Sequence, residues 1–364
     1  MKKPKQGPSL YYASDKNIYD AVNQSKVDND TVQKLFERRN IVCSKKTPRS
    51  DLAEYFSQLT HDYLDHQDIA NRLGIAKRRE RLTSVDLSGS LEKEQISCAI
   101  ENLVKALSVD GDIVQVTKDG ASTYLTVQYS EIDYKKSEFS QIQHRDGQIE
   151  LTKDGDNYVL RSTQSEYMNE VRSELVRQLQ AQTATPLIQS TVSLLNITSA
   201  SVRSKFFYDL IVQLPGYVRS DVTDVFVYKA KPASQGEDDE ETDEDGHIER
   251  VLMRGSGVSQ SKLLNSLVGD GKYHISKVGW IATETMGKGF AYEIEAMFDD
   301  PKDCTGFSYL LRGVYILEDN GRLSKKRRPP TPSEVEMISR AVEGKARELM
   351  KAILFAAETK GGVT

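Results

Sequence analysis

Three apolar segments near the C-terminus constrain the fold of this 364-residue chain most strongly. They are KYHISKVGWIAT (272–283), FAYEIEAMF (290–298) and FSYLLRGVYIL (307–317). All three are rich in β-branched and aromatic residues, and turn residues stand at 286–289 and 319–321. Strands of this length that follow each other so closely pair most simply as antiparallel neighbours. We therefore expect a C-terminal α+β domain, 186–358, built on an antiparallel sheet.

Amphipathic patterns predict helices over much of the remaining chain. In the N-terminal part, a flexible basic tail (1–13) precedes a helical module (14–82) with four predicted helices, at 15–25, 30–38, 49–59 and 66–73. A second unit, 90–182, combines two helices with two strand pairs and is either winged-helix-like or a small α+β platform. The predicted class is therefore multidomain α+β.

Several local features refine these bounds. The segment DIANRLGIAKRRE (68–80) is similar to the first helix and turn of a helix-turn-helix, but the Ser- and Thr-rich LTSVDLSGS (82–90) predicts a connector rather than a recognition helix. In the C-terminal domain we expect helices at 185–195 and 199–213. The last helix is expected to begin with a capping box formed by Ser333 and Glu336.

Composition excludes several classes of protein. The chain is 38% hydrophobic and 28% charged, and no apolar run approaches the roughly 20 residues that span a bilayer. Cys43, Cys98 and Cys304 are far apart and form no CxxC spacing, which is typical of a reducing compartment and predicts neither a disulfide framework nor a zinc site. We expect a cytoplasmic protein with no membrane partner and no cofactor.

Charge is segregated along the chain. The acidic run EDDEETDED (237–245) lies within residues 234–247, which include no apolar side chain. Such a segment cannot help to build a core, so we expect 232–247 to be a disordered insertion at a hairpin tip. Because these acids alone exceed the net charge of −5, the rest of the chain is net positive. Its cations fall into clusters, which indicates a polyanion as partner.

The first cluster lies between two short amphipathic helices in VDNDTVQKLFERRNIVCSKKTPRSDLAEYFSQL (27–59). Its cations are expected to meet phosphates: Arg38, Arg39, Lys45, Lys46 and Arg49. The segment resembles SAP and related helix–extension–helix modules, which implies DNA or RNA binding. Where that family usually has Gly at the end of the first helix, this chain has Asn40, which can also adopt the left-handed conformation. The alternative is a helical hairpin with a solvated charged loop.

Two further clusters extend the predicted nucleic-acid contacts: Lys77, Arg78, Arg79 and Arg81, and the Pro-flanked run Lys325, Lys326, Arg327 and Arg328. A weaker phosphate site is predicted where a Gly/Ser loop enters a helix, with Ser259, Ser261 and Lys262. This loop departs from the P-loop pattern, because Ser261 precedes Lys262 and Leu263 follows it. A Ser-capped helix after a flexible turn is the alternative.

Evidence for catalysis is weaker. Glu293 and Glu295 lie on one side of a predicted strand and Asp299 follows, so a metal-dependent nuclease is an alternative function. Solvent-facing charge on an antiparallel sheet explains the same residues. The segment HDYLDHQD (61–68) holds two histidines on different helix faces and predicts a polar interhelical turn. We therefore expect neither catalytic nor metal-binding residues.

We therefore interpret the chain as a non-enzymatic nucleic-acid-binding protein, and we expect its ligand to be DNA in preference to RNA. By analogy, multidomain binders of this composition serve as targeting or sensing subunits beside an enzyme, for instance in bacterial phage defence, so a protein partner is also expected. A protein-interaction scaffold is the remaining alternative.

Overall fold

The computed structural model describes residues 13–74, 79–229, 248–287, 289–318 and 322–361. These residues form an α+β protein with helices at the N-terminus and antiparallel strands toward the C-terminus, which confirms the predicted fold class. None of the described helices has the length and apolar character needed to cross a bilayer.

The helices within the described ranges are α1 Asp15–Val22, α2 Asn29–Glu37, α3 Arg49–Ser57, α4 Tyr63–Gly74, α5 Lys93–Val109, α6 Glu166–Ala181, α7 Ala200–Val212, α8 Lys262–Gly269 and α9 Pro332–Gly361. The strands are β1 Leu82–Ser88, β2 Ile113–Asp119, β3 Ser122–Ile132, β4 Ile142–Asp154, β5 Asn157–Thr163, β6 Ile188–Ser190, β7 Tyr217–Lys229, β8 Arg250–Arg254, β9 Tyr273–Glu284, β10 Ala291–Asp300 and β11 Thr305–Tyr315.

The chain divides into two compact units that are discontinuous in sequence. Unit 1 contains residues 1–78, 91–149 and 173–184, and unit 2 contains 79–90, 150–172 and 185–364. The division therefore falls within β4 and within α6. The domain bounds expected from the sequence, which are continuous segments, stay a prediction.

Unit 1 buries one face of each of its first four helices in a shared core. Val32, Leu35 and Phe36 of α2 and Phe56 of α3 are fully buried, as their helical spacing predicts. Asn40 ends the first of these two helices with φ 57°, and the amide of the next residue donates to the Phe36 carbonyl at 3.0 Å. The left-handed conformation expected of Asn40 is therefore present.

Unit 2 is organised around antiparallel strands in the order β5–β1–β11–β10–β9–β7–β8, with β6 also paired to β1. Helices α7 and α9 contribute to the core on one side of these strands. The bulkiest members of this core include Phe206, Phe207, Trp280, Tyr292, Phe298 and Tyr309. The predicted strand pair that flanks the acidic run is confirmed, because β7 and β8 pair antiparallel with Val225 opposite Met253.

Two predictions of secondary structure in unit 2 were wrong. The predicted connector at 82–90 is strand β1, which pairs with β5 and touches β11. Its Thr83, Val85 and Leu87 are buried at every second position, so the alternation outweighs the Ser and Thr content. The predicted helix at 185–195 contains the short strand β6 instead, because backbone pairing with β1 is available there.

The capping box of α9 lies two residues before the expected one. The side chain of Thr331, not Ser333, accepts from the Glu334 amide at 3.3 Å, and Glu334 accepts from the Thr331 amide at 2.8 Å. Pro332 takes the first helical position, where its missing N–H costs nothing. A hydrogen bond from Arg328 is the main reason that the pKa of Glu334 falls to about 2, and the Thr331 amide adds to it.

The insertion predicted at 232–247 and residues 1–12 of the predicted tail lie outside the described residues, as do Lys77 and Arg78.

We expect the Thr331→Ala variant to lose about 1 kcal/mol of unfolding free energy, because an N-cap hydroxyl is removed from the longest helix that the structure describes. Urea denaturation followed by far-UV circular dichroism measures this change. The Ser333→Ala variant is the matched control and should stay within about 0.5 kcal/mol of wild type. Equal losses in the two variants would contradict the placement of the cap.

Candidate nucleic-acid interface

Two of the five cations predicted in the 38–49 connector hold unit 1 together. Arg39 donates to Asp65 Oδ2 at 2.5 Å and to the Thr60 carbonyl at 2.7 Å, and its guanidinium lies 4.7 Å from the centre of the Phe56 ring. Arg49 donates to the Val22 carbonyl at 2.8 Å and to the Val27 carbonyl. Both guanidiniums therefore join separate segments of unit 1 and are not exposed phosphate contacts.

The other three connector cations are exposed. Arg38 pairs with Asp68 at 2.5 Å, and each of these side chains keeps 40% or more of its surface exposed. Lys45 and Lys46 are exposed between α2 and α3. Because an exposed ion pair contributes little to stability, Arg38 can exchange Asp68 for a phosphate at low cost.

The histidine-rich turn is a buried polar junction, as its sequence predicts. His61 Nδ1 lies 3.1 Å from Arg39 Nη2 and 3.9 Å from Asp65 Oδ2. Burial, followed by the charge of Arg39, lowers the pKa of His61, so this imidazole is neutral at pH 7.

The Gly/Ser loop before α8, where a weak phosphate site was predicted, already holds an acidic group. The amide of Gly257, in this loop, donates to Asp221 Oδ1 at 3.0 Å and is therefore not free to bind a phosphate. Ser261 precedes α8 but makes no capping hydrogen bond with its side chain, while Lys262 is exposed. Ser259 borders a small apolar space beneath Leu264. Of these three residues, Lys262 is the exposed one and stays a candidate contact.

The basic run 325–328 is divided between structural and exposed roles. Arg328 pairs with Glu334 at 2.5 Å and its backbone bonds to Val314 of β11. Arg327 pairs with Glu293 at 2.6 Å but keeps 45% of its side chain exposed. Lys325 and Lys326 are exposed. The run is therefore anchored against β11 at one end rather than being a fully flexible finger.

Arg327 belongs to a dense group of charges centred on Arg312 of β11. Arg312 Nη1 donates to Asp224 Oδ2 of β7 at 2.6 Å, and Nη2 donates to the Glu295 carboxylate of β10. Glu293 Oε1 lies 3.4 Å from the same Nη1 and accepts from Arg327 as well. One guanidinium therefore joins carboxylates from two different strands.

Further cations surround this centre. Arg254 Nε donates to Asp224 at 2.5 Å, while Arg81 and Lys277 bond to Glu295 at 2.7 and 3.0 Å. We call these eight residues the Arg312 cluster: Arg81, Asp224, Arg254, Lys277, Glu293, Glu295, Arg312 and Arg327. It contains five cations and three carboxylates, so it is formally positive by two charges.

Strand register and a glycine make this geometry possible. Gly279 of β9 lies directly between Asp224 of β7 and Glu295 of β10 in the ladder. A Cβ atom on Gly279 would come within 2.9 Å of the Asp224 carboxylate. The missing side chain therefore leaves the space in which the Asp224 carboxylate meets Arg312.

The carboxylates of the cluster are buried, in contrast to the solvent-facing charge that antiparallel sheets usually carry. Glu293 and Glu295 are 7% and 2% exposed, so that interpretation of these residues was wrong. Asp299 lies further along β10 and accepts from Ser308 at 3.0 Å and from Gln164. In the part of the chain that the structure describes, no three acidic, imidazole or thiol side chains are arranged to hold a metal ion.

The cations determine the ionisation of these buried acids. Burial raises the pKa of Asp224, but hydrogen bonds from Arg254 and Arg312 together outweigh it, so the pKa lies below the ordinary value. Burial also raises the pKa of Glu295. Hydrogen bonds from Arg81 and Lys277 oppose this effect, and the pKa again lies below the ordinary value. Burial lowers the pKa of Arg312, but the charge of Glu295 and the bond to Asp224 raise it overall. All three groups are charged at pH 7.

A further cation lies on the same sheet face. Arg172 of α6 donates to the Ser162 hydroxyl at 3.1 Å, and no carboxylate partner is found for it among the described residues. Ser162 of β5 pairs with Thr83 of β1, and Thr83 is two positions after Arg81, so Ser162 and Arg81 lie on the same face of the sheet. Arg172, which contacts Ser162, therefore lies against that face as well. Burial alone lowers the pKa of Arg172.

Sequence reasoning found Arg81 and Arg327 but missed the other cations of this face. A usable signal was present, since Lys277 and Arg312 each interrupt an apolar strand segment. A charge at such a position needs a buried partner, and Glu293 and Glu295 on the strand between them provide it.

The sequence was also compared with protein-family models and with curated proteins, and neither comparison found a match.

We expect the Arg39→Gln variant to lose about 3 kcal/mol of unfolding free energy, because it leaves the Asp65 carboxylate, 4% exposed, without its cation. Urea unfolding measures the loss. Lys46→Gln removes an exposed charge from the same connector and should change stability by less than about 0.5 kcal/mol. A similarly small effect for Arg39→Gln would show that the ion pair between Arg39 and Asp65 does not stabilise unit 1.

The Arg312 cluster should stabilise the protein at neutral pH and lose this effect in acid. Since the folded pKa values of Asp224 and Glu295 lie below the unfolded ones, their contribution is complete above about pH 4.5 and falls as the pH drops through the folded values. We expect the Asp224→Asn variant to be less stable than wild type at pH 7, with a difference that shrinks toward pH 3. Urea midpoints at several pH values test this, and a constant difference would contradict it.

Proposed function

We propose that this protein binds nucleic acid without catalysing a reaction, and that the Arg312 cluster is its main contact with the phosphate backbone. The observation that carries the proposal is the convergence of five cations on one sheet face of unit 2, two of them, Arg81 and Arg327, indicated independently by the sequence. A formally positive and partly exposed surface attracts a polyanion, and releasing the polyanion's counterions favours binding.

The outer arginines of the cluster suit phosphate contacts. The side chains of Arg254 and Arg327 are 68% and 45% exposed, and each bonds to one buried carboxylate. A guanidinium carries five N–H donors, so one such contact leaves donors for a phosphate oxygen. The buried carboxylates fix the orientation of these side chains, which reduces the entropy lost on binding. Arg172 adds a cation at the margin of the same face.

The same ion pairs argue against a nuclease at Glu293, Glu295 and Asp299. A metal ion at this place requires Glu295 to release Arg81, Lys277 and Arg312, and each release leaves a partly buried cation without its partner. The carboxylates are therefore better suited to positioning the arginines than to binding a metal ion.

A second contact is proposed at the connector of unit 1. Lys45 and Lys46 are exposed and Arg38 is half-exposed, which suits backbone contacts with little sequence preference. The wider role proposed here is a cytoplasmic targeting or sensing subunit with a protein partner, for which phage defence is an analogy. The three cysteines are free thiols, in keeping with a reducing compartment.

Salt-dependent binding tests this function. Fluorescence anisotropy with labelled 20-mers of single-stranded DNA, duplex DNA and RNA gives the slope of log K against log salt concentration. We expect the double variant Arg254→Gln/Arg327→Gln to bind all duplex sequences more weakly. Its slope should be smaller by about two units, since each lost phosphate contact contributes about 0.9 for duplex DNA.

The control variant Arg177→Gln/Lys205→Gln removes the same charge from two exposed, paired cations outside the cluster, with side chains 69% and 66% exposed. It should keep the wild-type slope. If the two double variants behave alike, the Arg312 cluster is not the interface. If wild-type protein binds none of the three probes, the scaffold alternative replaces the proposal.

A further inference from the structure

A cleft of about 340 Å³ lies between the end of β4, the strand β5 and the helix α9 in unit 2. Its floor contains Arg161 of β5. Arg161 pairs with Ser84 across the ladder, whereas Ser162 pairs with Thr83, on the face that carries Arg81. Since successive residues of a strand point to opposite faces, the cleft and the Arg312 cluster lie on opposite sides of these strands.

The floor of the cleft is rigid and electrically satisfied. Arg161 donates to both oxygens of Glu343 at 2.8 and 2.9 Å and to Glu150 at 2.5 Å. Glu343 also accepts from the Tyr309 hydroxyl at 2.5 Å. Paired charges of this kind hold their positions without a ligand, so the floor is preorganised.

The rim supplies cations that can change their partners. Lys153 is exposed, and Arg340 of α9 is 60% exposed and pairs only at the surface with Glu336. Arg347 also lines the cleft but is committed to Asp86 at 3.0 Å. Asp154 at the same rim can accept from hydroxyl groups, and Val159 provides an apolar contact.

Gly344 keeps the wall formed by α9 open. It lies in the interior of a 30-residue helix, where glycine is unfavourable compared with alanine. A Cβ atom built on Gly344 meets nothing within 4 Å. Packing therefore does not require glycine here, and a large side chain at this position would project into the cleft.

We propose that this cleft binds a phosphorylated small molecule of about mononucleotide size. The volume is near the lower end of the range of roughly 300–1,000 Å³ that is typical of small-molecule sites. The phosphate lies against Lys153 and Arg340, and hydroxyl groups of the ligand donate to Asp154. This site is separate from the proposed nucleic-acid interface and does not depend on it.

Isothermal titration of the full chain with AMP, ribose 5-phosphate, inorganic phosphate and adenosine tests the site. We expect AMP or ribose 5-phosphate to bind, and adenosine and inorganic phosphate to bind at least tenfold more weakly. Gly344→Leu should weaken binding of the phosphorylated probe at least tenfold, while the matched Gly344→Ala variant keeps wild-type affinity. Leucine is a better helix former than glycine, so α9 itself should tolerate the larger residue.

The variant Lys153→Gln/Arg340→Gln provides a second measurement that leaves the floor of the cleft intact, and it should also weaken binding at least tenfold. Wild-type affinity in this variant or in Gly344→Leu overturns the assignment, as does adenosine binding as tightly as AMP. Absence of binding by both phosphorylated sugars overturns it as well. The Arg254→Gln/Arg327→Gln variant should keep its affinity for the probe, which separates this proposal from the nucleic-acid interface.

Discussion

The guanidinium of Arg312 is the contact on which the candidate interface depends. It joins Asp224 and Glu295, which lie on strands separated by β9. Each of these carboxylates is nearly inaccessible, and a buried charge without a partner costs several kcal/mol. Their pairing with Arg312 removes that cost and leaves one oxygen of each for Arg254 and Arg81, while Lys277 shares Glu295 Oε2 with Arg312. The exposed cations of the surface are thus positioned by acids beneath them.

The same requirement explains why dense clusters of lysine and arginine are an incomplete guide to binding surfaces. Arg39 and Arg49 stand in the most basic part of the N-terminal module, yet their donors are used by Asp65 and by backbone carbonyls. Lys45 and Lys46, in the same connector, are exposed. What a cation can bind is decided by the donors that remain after the protein's own acceptors are satisfied.

Glycine has a spatial role at both proposed sites. At Gly279 the absence of a side chain lets Asp224 meet Arg312, and at Gly344 it leaves the α9 wall of the cleft open. The two positions differ in what surrounds them, since a Cβ atom would collide at Gly279 and would meet open space at Gly344. The strands of unit 2 therefore separate a charged surface on one face from a preorganised cleft on the other.

Local patterns in the sequence were sufficient for most elements. The spacing of apolar residues identified α1 to α4 and α9, and alternation with turn residues identified β7 to β11, because both signals arise from neighbours in the chain. Asn40 is a similar case, since a C-cap depends only on the residues beside it. The sequence also determined that Arg81 and Arg327 belong to basic clusters. The tertiary structure decided that β1 and β6 are strands, because their hydrogen bonds come from distant segments. It also decided which cations meet buried acids: Arg81 and Glu295 are 214 residues apart. Only strand pairing, which depends on the whole fold, brings such residues together.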